Sequence, residues 1–277
     1  MALRINYNLA ASVAQRSLAT SQDAYSRQAE RLSTGLRINK AGDDAAGLAV
    51  SEKLKNQIRG LNQAQRNAQD GISLIQTAEG ALNETHTILS RMRELAVQSA
   101  NDTLTASDRA NLSTEFTHLY AEVERIANTT QFNTSPLLNS SGAATALTFQ
   151  IGANGGDTLV FTTGSARATS LEVTMSALTI TAQSVAASGI SSLDAAINVV
   201  SKNRADFGAL QNRLESTIRS LGVASENTSA ANSRIVDADI AASMSELVRT
   251  QILQQAGISV LAQANQDRKS TRLNSSH

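Results

Sequence analysis

The 277-residue sequence contains no cysteine, no tryptophan and a single proline, and aromatic residues make up only 3% of it. The lack of cysteine excludes disulfides, thiolate metal sites and a thiol nucleophile. With so few aromatic rings, the core must be built from Leu, Ile, Val and Ala side chains. That set of residues favours thin interfaces between helices over a thick globular interior.

Net charge and long apolar runs are also lacking. Lys plus Arg and Asp plus Glu each number 24, so no basic field favours nucleic acid or a membrane surface as a partner. No stretch approaches the roughly 18 apolar residues of a membrane span. The N-terminal segment lacks the charged-then-apolar order of a secretory signal, so we expect any export to use a route without a cleaved signal peptide.

Apolar residues recur at helical spacing at both ends of the chain. In the N-terminal seam, Leu18, Tyr25 and Leu32 are spaced by seven, and Ala29 and Leu36 fill the other seam position, with Gln22 as the polar exception. Its seven-residue step predicts a helix of coiled-coil type that ends near Gly35. A glycine-rich break follows and contains Asp43 and Asp44, which we interpret as groups that complement the dipole of the next helix rather than as catalytic carboxylates.

A second helix is predicted from about residue 48 to residue 100. Its seam keeps a strict step of seven: Leu61, Ala68, Ile75, Leu82, Leu89 and Ala96. Gly60, Gly71 and Gly80 each lower the helix propensity by about 1 kcal/mol. We therefore expect this helix to depend on packing, with glycines that allow another helix to approach closely.

A third helix and a softer middle segment follow. Thr105 and Asp108 form a capping-box pattern that predicts a helix start. We expect the helix to end before residues 131–133, and Pro136 marks the exit into the middle segment. Two short alternating runs, at residues 147–151 and 158–161, flank a Gly/Asn turn and predict a β-hairpin. Residues 171–175 and 178–180 are weaker strand candidates.

The clearest heptad pattern lies in the C-terminal half. It consists of Leu193, Ile197, Val200, Arg204, Phe207, Gln211, Leu214, Ile218 and Leu221. Gly222 and an Asn/Ser-rich stretch are expected to weaken the helix after this run. A last apolar stripe begins with Ile240, Met244 and Leu247 and extends to about residue 265.

The sequence contains no combination of residues typical of an enzyme. His86, His118 and His277 have no second histidine three or four residues away, so we interpret them as surface or interface residues rather than as metal ligands. No nucleophile elbow, P-loop, zinc-protease motif or dinucleotide fingerprint occurs. We therefore predict a protein without enzymatic activity and without a cofactor.

Four segments of the chain closely resemble signatures of the bacterial flagellin family. They are LSTGLRINKAGDDAAGLA at 32–49, MRELAVQSAN at 92–101, SRIVDADIA at 233–241 and ILQQAGISVLAQAN at 252–265. The matching regions cover roughly residues 1–133 and 191–266. Four motifs in the family's order make the resemblance specific.

The resemblance implies a mainly α fold in which both termini form a long-helix coiled coil beside a helical bundle with a small β-hairpin. The expected core domain comprises 1–42 and 236–266, and the bundle domain comprises 43–235, with a short variable segment at about 134–190. The outer domain is expected to be small or absent. Residues 267–277 (DRKSTRLNSSH) depart from the family's apolar tail and resemble translated cloning sequence.

The resemblance also implies a function and partners. Such a chain polymerises into the extracellular flagellar filament for swimming and leaves the cell unfolded through the flagellar type III apparatus. Its expected partners are other copies of itself, an export chaperone, the filament cap and hook-junction proteins. We expect residues 1–40 and 236–265 to be disordered before polymerisation, because their seams need partners.

A host Toll-like receptor senses many flagellins, and by resemblance Arg91, Leu95 and Glu115 occupy the matching positions. The alternative is that Leu95 is a packing residue and that Arg91 and Glu115 are surface or intersubunit charges. For the whole chain, the nearest alternative is a hook–filament junction protein. A secreted adhesin or an enzyme-bearing flagellin is less favoured, since residues 134–190 contain no His or Cys.

Overall fold

The computed structural model describes residues 8–139, 145–163 and 180–274, and within them the chain is mainly helical. The helices are α1 (Leu9–Thr34), α2 (Ala45–Ser99), α3 (Ala106–Thr129), α4 (Gln183–Val236) and α5 (Ile240–Asn274). The strands are β1 (Gln131–Phe132), β2 (Ser135–Pro136), β3 (Thr145–Gln150) and β4 (Thr158–Thr163), paired antiparallel as β1–β2 and β3–β4. The predicted fold class is confirmed.

The chain forms two compact units, one within Met1–Asn56 and Asn227–His277 and the other within Gln57–Glu226. We call them the terminal unit and the bundle unit. The boundary falls inside α2 and α4, whereas the sequence-based division at 42/43 and 235/236 lies at the loops and stays a prediction.

The terminal unit is closed by a short crossing of two chain segments. The chain leaves α1 through Gly35, whose φ of 72° is left-handed, a conformation that glycine adopts without a Cβ clash. The Arg37 amide then donates to the Val236 carbonyl at 2.6 Å, and the Ala238 amide donates to the Gly35 carbonyl at 2.9 Å. These bonds flank an antiparallel bridge between Leu36 and Asp237. We call this crossing the clamp.

The two aspartates before α2 both bind backbone amides. Asp44 accepts a hydrogen bond from the Gly47 amide at 2.8 Å, as a residue that caps a helix start does. Asp43 accepts from the amides of Asn39 and Lys40, both at 3.0 Å. The bonds from Lys40 and then Asn39 lower the pKa of the Asp43 carboxyl. Their local contacts give these carboxylates a structural role.

The bundle unit is built on a core that α2, α3 and α4 share with the hairpin. The predicted α2 seam is buried at all six positions: Leu61, Ala68, Ile75, Leu82, Leu89 and Ala96. In α4, Leu193, Val200, Phe207, Leu214 and Leu221 are buried, and Ile197 packs against the core. Phe161 of β4 contacts Phe207 with ring centroids 5.1 Å apart.

Two glycines of α2 accommodate the β-hairpin. An added Cβ at Gly60 would stand 2.9 Å from the Cβ of Ala153, and one at Gly71 would stand 3.2 Å from the ring of Phe149. Between them, Asn67 Nδ2 donates to the Gln150 carbonyl at 3.1 Å. The sequence predicted that these glycines allow another helix to approach closely. At Gly71 a Cβ would also stand 3.4 Å from Leu214 of α4, whereas at Gly60 the close neighbour is the hairpin and Gly80 has open space around it.

Helix α4 differs from its prediction at both ends. It begins at Gln183, inside the segment predicted as variable, and it continues through Gly222 to Val236. Past Gly222, Ala224 packs on a small cluster around Leu61, and Ser225 Oγ donates to Asn62 Oδ1 at 2.9 Å. Tertiary contacts thus offset the low propensity of the Asn/Ser-rich stretch. Helix α5 likewise extends past its predicted end, to Asn274.

Helix α3 begins as predicted. Thr105 and Asp108 form a reciprocal capping box, which confirms the interpretation of that motif. On the first turn, Arg109 donates from Nε to the Ser99 carbonyl at 3.0 Å and from a terminal nitrogen to the Asn101 carbonyl at 2.9 Å. Arg109 therefore satisfies the Ser99 carbonyl, which the end of α2 leaves without a helical partner, and holds the loop that follows at Asn101.

Candidate assembly interface

Helices α1 and α5 pair in opposite directions along the terminal unit. Asn8 Nδ2, at the start of α1, donates to the Ala264 carbonyl at 3.0 Å, and Gln22 Oε1 accepts from Gln254 Nε2. Between these contacts, the side chain of Leu18 lies over Gly257. The predicted α1 residues Leu18, Tyr25 and Leu32 and the adjoining Leu36 are half-buried.

The α5 residues that face inward form a second heptad, and it is mostly polar or small. Its members are buried or half-buried and step by four and three: Ser243, Leu247, Thr250, Gln254, Gly257, Leu261 and Ala264. The sequence predicted Ile240, Met244 and Leu247 for this seam. Leu247 is half-buried there, but Ile240 and Met244 are 49% and 44% exposed, so the structure corrects those two positions. The prediction followed the apolar stripe, and a stripe does not reveal which side faces a partner.

The surface of α5 carries a concentration of large apolar side chains. Those exposed by 44% or more are Ile240, Met244, Val248, Ile252, Leu253, Ile258 and Val260. On α1, Leu9 and Val13 are exposed as well. We call the seven α5 residues the α5 apolar face. A concentration of exposed apolar side chains of this kind, here on the two flanks of the inward stripe, marks an interaction site.

Charge is scarce on the same helix. Between residues 240 and 266 the sequence contains just two charged residues, Glu246 and Arg249. They form an ion pair with each other at 3.2 Å. The α5 apolar face therefore has little charge to keep it in water, and it can be covered by another apolar surface at small desolvation cost.

The candidate receptor residues are placed differently from one another. Arg91 bridges two carboxylates, with Nε 3.0 Å from Glu115 Oε1 and a terminal nitrogen 3.0 Å from Glu94 Oε2. The bonds to Glu94 and then Glu115 raise the pKa of the Arg91 guanidinium. Leu95, by contrast, is 1% exposed and belongs to the bundle core. Its position favours the packing interpretation, because a receptor cannot reach it in this conformation.

The histidines form no metal-binding group in the part of the chain that the structure describes. His86 is half-buried on α2 and His118 is exposed on α3, while His277 lies outside the described residues. Among those residues, no group of three or more His, Cys, Asp or Glu side chains is placed to hold a metal ion. In the same residues, no helix is long and apolar enough to cross a membrane.

Sequence reasoning missed the inward face of α5. The step of four and three from Ser243 to Ala264 is as regular as the bundle heptads, but Ser, Thr, Gln and Gly at most positions hide it from a search for apolar periodicity. Residue type could have revealed this face, because small and polar side chains form one stripe along α5 and bulky apolar side chains lie on both sides of that stripe.

Comparison with known proteins covers nearly the whole chain. Residues 5–143 match the model of the bacterial flagellin N-terminal helical region, and residues 190–271 match that of the C-terminal helical region. Flagellin of Halalkalibacterium halodurans is 52% identical over 262 residues, spanning 95% of this chain and 96% of the relative. The flagellar filament 33 kDa core protein of Treponema phagedenis is 46% identical over 274 residues, with shares of 95% and 96%.

Solved structures agree at lower coverage. The crystal structure of Bacillus cereus flagellin superimposes with a TM-score of 0.50 at 35% identity, over 56% of this chain and 88% of that one. A flagellar hook-associated protein of Vibrio parahaemolyticus gives a TM-score of 0.62, covering 70% of this chain and all of that one. Its identity of 15% shows a shared fold alone.

Proposed function

This chain belongs to the bacterial flagellin family, whose members are structural subunits of the flagellar filament, and we propose that subunits join through its α1–α5 pair. The observation that carries the proposal is the α5 apolar face. Seven bulky apolar side chains there remain about half exposed in a single chain. Filament formation supplies the partner surface that such a face needs.

The gain from covering the face is large enough to drive assembly. Full burial of one Leu, Ile, Val or Met side chain contributes about 1.5–3 kcal/mol, so a half-exposed one has roughly 1 kcal/mol still to gain. Summed over the α5 apolar face, this gain is of the order of the free energies that hold proteins together, before the cost of ordering is subtracted.

The polar seam between α1 and α5 supports a further step: the two helices gain most of their order on assembly. Gln254 and Thr250 occupy inward positions of α5, where a strong coiled coil carries Leu or Ile, and the exposed Gln22 bonds to Gln254 across the pair. Folding of the ends is then coupled to binding. Amide exchange of the free subunit should be fast in α1 and α5 and slow in the buried parts of α2 and α4. Full protection of α1 and α5 in the monomer would contradict this step.

Ends that become ordered only on assembly also suit a subunit that is secreted unfolded. We propose that the subunit passes unfolded through the flagellar type III apparatus, without a cleaved signal peptide, and polymerises beneath the filament cap next to the hook-junction proteins. Before export, a cytosolic chaperone would shield the C-terminal helix, where the α5 apolar face is the exposed surface to cover. Co-purification of a chaperone with the wild-type chain, lost on truncation before Ile240, would support this.

Receptor recognition is a separate proposal and rests on Arg91 and Glu115. Both side chains are about half exposed, and they form an ion pair at 2.9 Å. We propose that a host Toll-like receptor contacts them in the free subunit. An Arg91→Ala monomer should then signal more weakly than wild type in a reporter cell, with Arg125→Ala, on the same bundle unit and also paired to a glutamate, as the control. Equal signalling by Arg91→Ala and wild type would contradict the proposal.

The hook–filament junction protein is the less supported alternative. The relatives at 44–52% identity are flagellins and filament core proteins, whereas the hook-associated protein shares 15%. Abundance separates the two functions directly: a filament subunit dominates sheared flagella, and a junction protein is a trace component there.

The assembly proposal is tested by making the α5 apolar face polar. The variant Val248→Gln with Ile252→Gln should fail to elongate seeded filaments, as followed by sedimentation and negative-stain microscopy. A matched control is Val199→Gln with Val223→Gln, two exposed apolar residues of α4 in the bundle unit. Both proteins should retain the thermal unfolding of the bundle. Normal elongation by the α5 variant, or equal loss in both variants, would overturn the proposal.

A further inference from the structure

The turn of the β-hairpin contains a sequence with chemistry of its own. Asn154 is the single asparagine of the chain that is followed by a glycine, and the pair lies at the tip between β3 and β4. The turn is closed by the Ile151 amide, which donates to the Asp157 carbonyl at 2.9 Å. Asn154 is exposed and lines a groove of about 640 Å³ beside α2 and α4.

We propose that Asn154 is a site of spontaneous deamidation, a covalent modification that needs water and mild base alone. The backbone nitrogen of Gly155 attacks Cγ of Asn154, and the new N–C bond closes a five-membered succinimide. The bond from Cγ to Nδ2 breaks, and ammonia leaves with the proton from the glycine amide. Water then opens the ring at either carbonyl, which gives aspartate or isoaspartate with no change of oxidation state.

The structure favours this ring closure at Asn154 over closure at other asparagines. Glycine presents no side chain to the attack, and a Cβ added at Gly155 would meet nothing within 4 Å, so the turn has room to change shape. Asparagines inside helices, such as Asn203, precede amides that are held by the helix. Asn133 also lies in an exposed turn, but it is followed by Thr134, whose branched side chain crowds the attack.

The product changes the contacts that hold the turn. Asp157 Oδ2 accepts one hydrogen bond from the backbone amide of Asn154 at 3.2 Å and another from its side-chain Nδ2 at 3.3 Å. Deamidation removes the Nδ2 donor and places a second carboxylate beside the first, where like charges repel. Isoaspartate also inserts an extra backbone carbon. Because the neighbouring Ala153 rests on Gly60 of α2, a loosened turn weakens the contact between hairpin and helix.

Ageing of the purified full-length protein in mildly alkaline buffer tests the site. Peptide mapping by mass spectrometry should find aspartate and isoaspartate at position 154 accumulating several times faster than at Asn133 in the same sample. The matched variant is Gly155→Ala: Gly155 is not among the glycines of positive φ, so the turn accepts the methyl group, which should slow conversion several-fold. Equal rates at the two asparagines, or conversion unaffected by Gly155→Ala, would overturn the assignment.

The consequence for the hairpin is tested with a variant that carries the product. Asn154→Asp should raise amide exchange in β3 and β4 relative to wild type, and the charge-neutral Asn154→Ser should raise it less. Exchange in α3 serves as the internal reference. If Asn154→Asp exchanges like wild type in both strands, the modification occurs without loosening the turn, and that half of the inference fails.

Discussion

The bundle unit and the terminal unit use heptad patterns in opposite ways. In α2 every member of the seven-residue seam is buried within its own chain, and α4 supplies the facing residues. In α5 most of the bulky apolar residues lie outside, and Gln254, Thr250 and Ser243 face inward beside Leu247 and Leu261. The bundle unit buries its seam within its own sequence, while the terminal unit leaves most of the bulky side chains of α5 exposed.

The contrast shows that an apolar stripe identifies a surface to be buried without identifying what buries it. For α2 the partner lies in the same chain; for α5 it is, as we propose, another subunit of the filament. The residue types distinguish the two helices. In α5 a second stripe, made mostly of polar and small residues, runs at the same spacing as a heptad, and it forms a weaker contact with α1 inside the chain.

The largest effect should come from breaking the bundle seam. Phe207→Ala removes a ring that is 1% exposed and packs at a tilt against the ring of Phe161. The free energy of unfolding of the bundle should fall by about 3–5 kcal/mol, measured by urea titration followed by circular dichroism. Val223→Ala, on the exposed side of the same helix, should change it by less than about 0.5 kcal/mol. Similar losses in both variants would mean that the α4 seam is not the core.

The next effect sharpens the comparison by giving the terminal unit a bundle-like seam. Gln22→Leu with Gln254→Leu replaces a polar pair by an apolar one, which should stabilise the α1–α5 pair by roughly 1–2 kcal/mol. Amide exchange in both helices should slow in the free subunit. The control is Gln15→Leu with Gln255→Leu: Gln15 is exposed as Gln22 is, whereas Gln255 is exposed and Gln254 is half-buried, so a difference between the two double variants reports on the inward position of α5. If the two double variants slow amide exchange equally, the polarity of the seam does not determine the stability of the α1–α5 pair.

A smaller effect separates two glycines of one helix. Gly80→Ala should raise the free energy of unfolding by about 1 kcal/mol, because a methyl group there meets nothing within 4 Å and alanine is the better helix former. Gly60→Ala should gain nothing or lose stability, because its methyl would stand 2.9 Å from the Ala153 Cβ. Thermal unfolding of the two variants checks this. Equal stabilisation would show that the hairpin does not rest on Gly60.

The smallest expected effect concerns pH. Bonds from the Thr105 hydroxyl and then the Thr105 amide lower the pKa of the Asp108 carboxyl below its ordinary value of 3.8. The lowered pKa means that the folded state favours the ionised form. The stabilisation is therefore present above pH 3.8 and is lost as the pH falls through the lowered pKa. Asp108→Asn should flatten the acid side of the thermal stability profile, and an unchanged acid side would contradict the role of Asp108.

How far the sequence predicts this molecule depends on where each residue finds its partner. The β-hairpin, the capping box at Thr105 and the end of α1 at Gly35 follow from local chemistry, so periodicity and turn residues predicted them. The continuation of α4 past Gly222 did not follow, because contacts distant in sequence offset local propensity there. The same limit explains Ile240 and Met244: their pattern was visible, but the side they face is a tertiary property.

The clamp has a consequence for how the two terminal helices tolerate change in length. Helix α1 ends just before, and α5 begins just after, the bridge between Leu36 and Asp237. The bridge therefore fixes which residues of the two helices lie opposite each other. A single residue inserted into either helix would turn everything beyond it by about 100°, since a helix has 3.6 residues per turn. Substitutions are therefore tolerated one at a time, whereas an insertion or a deletion in one helix requires a matching change in the other.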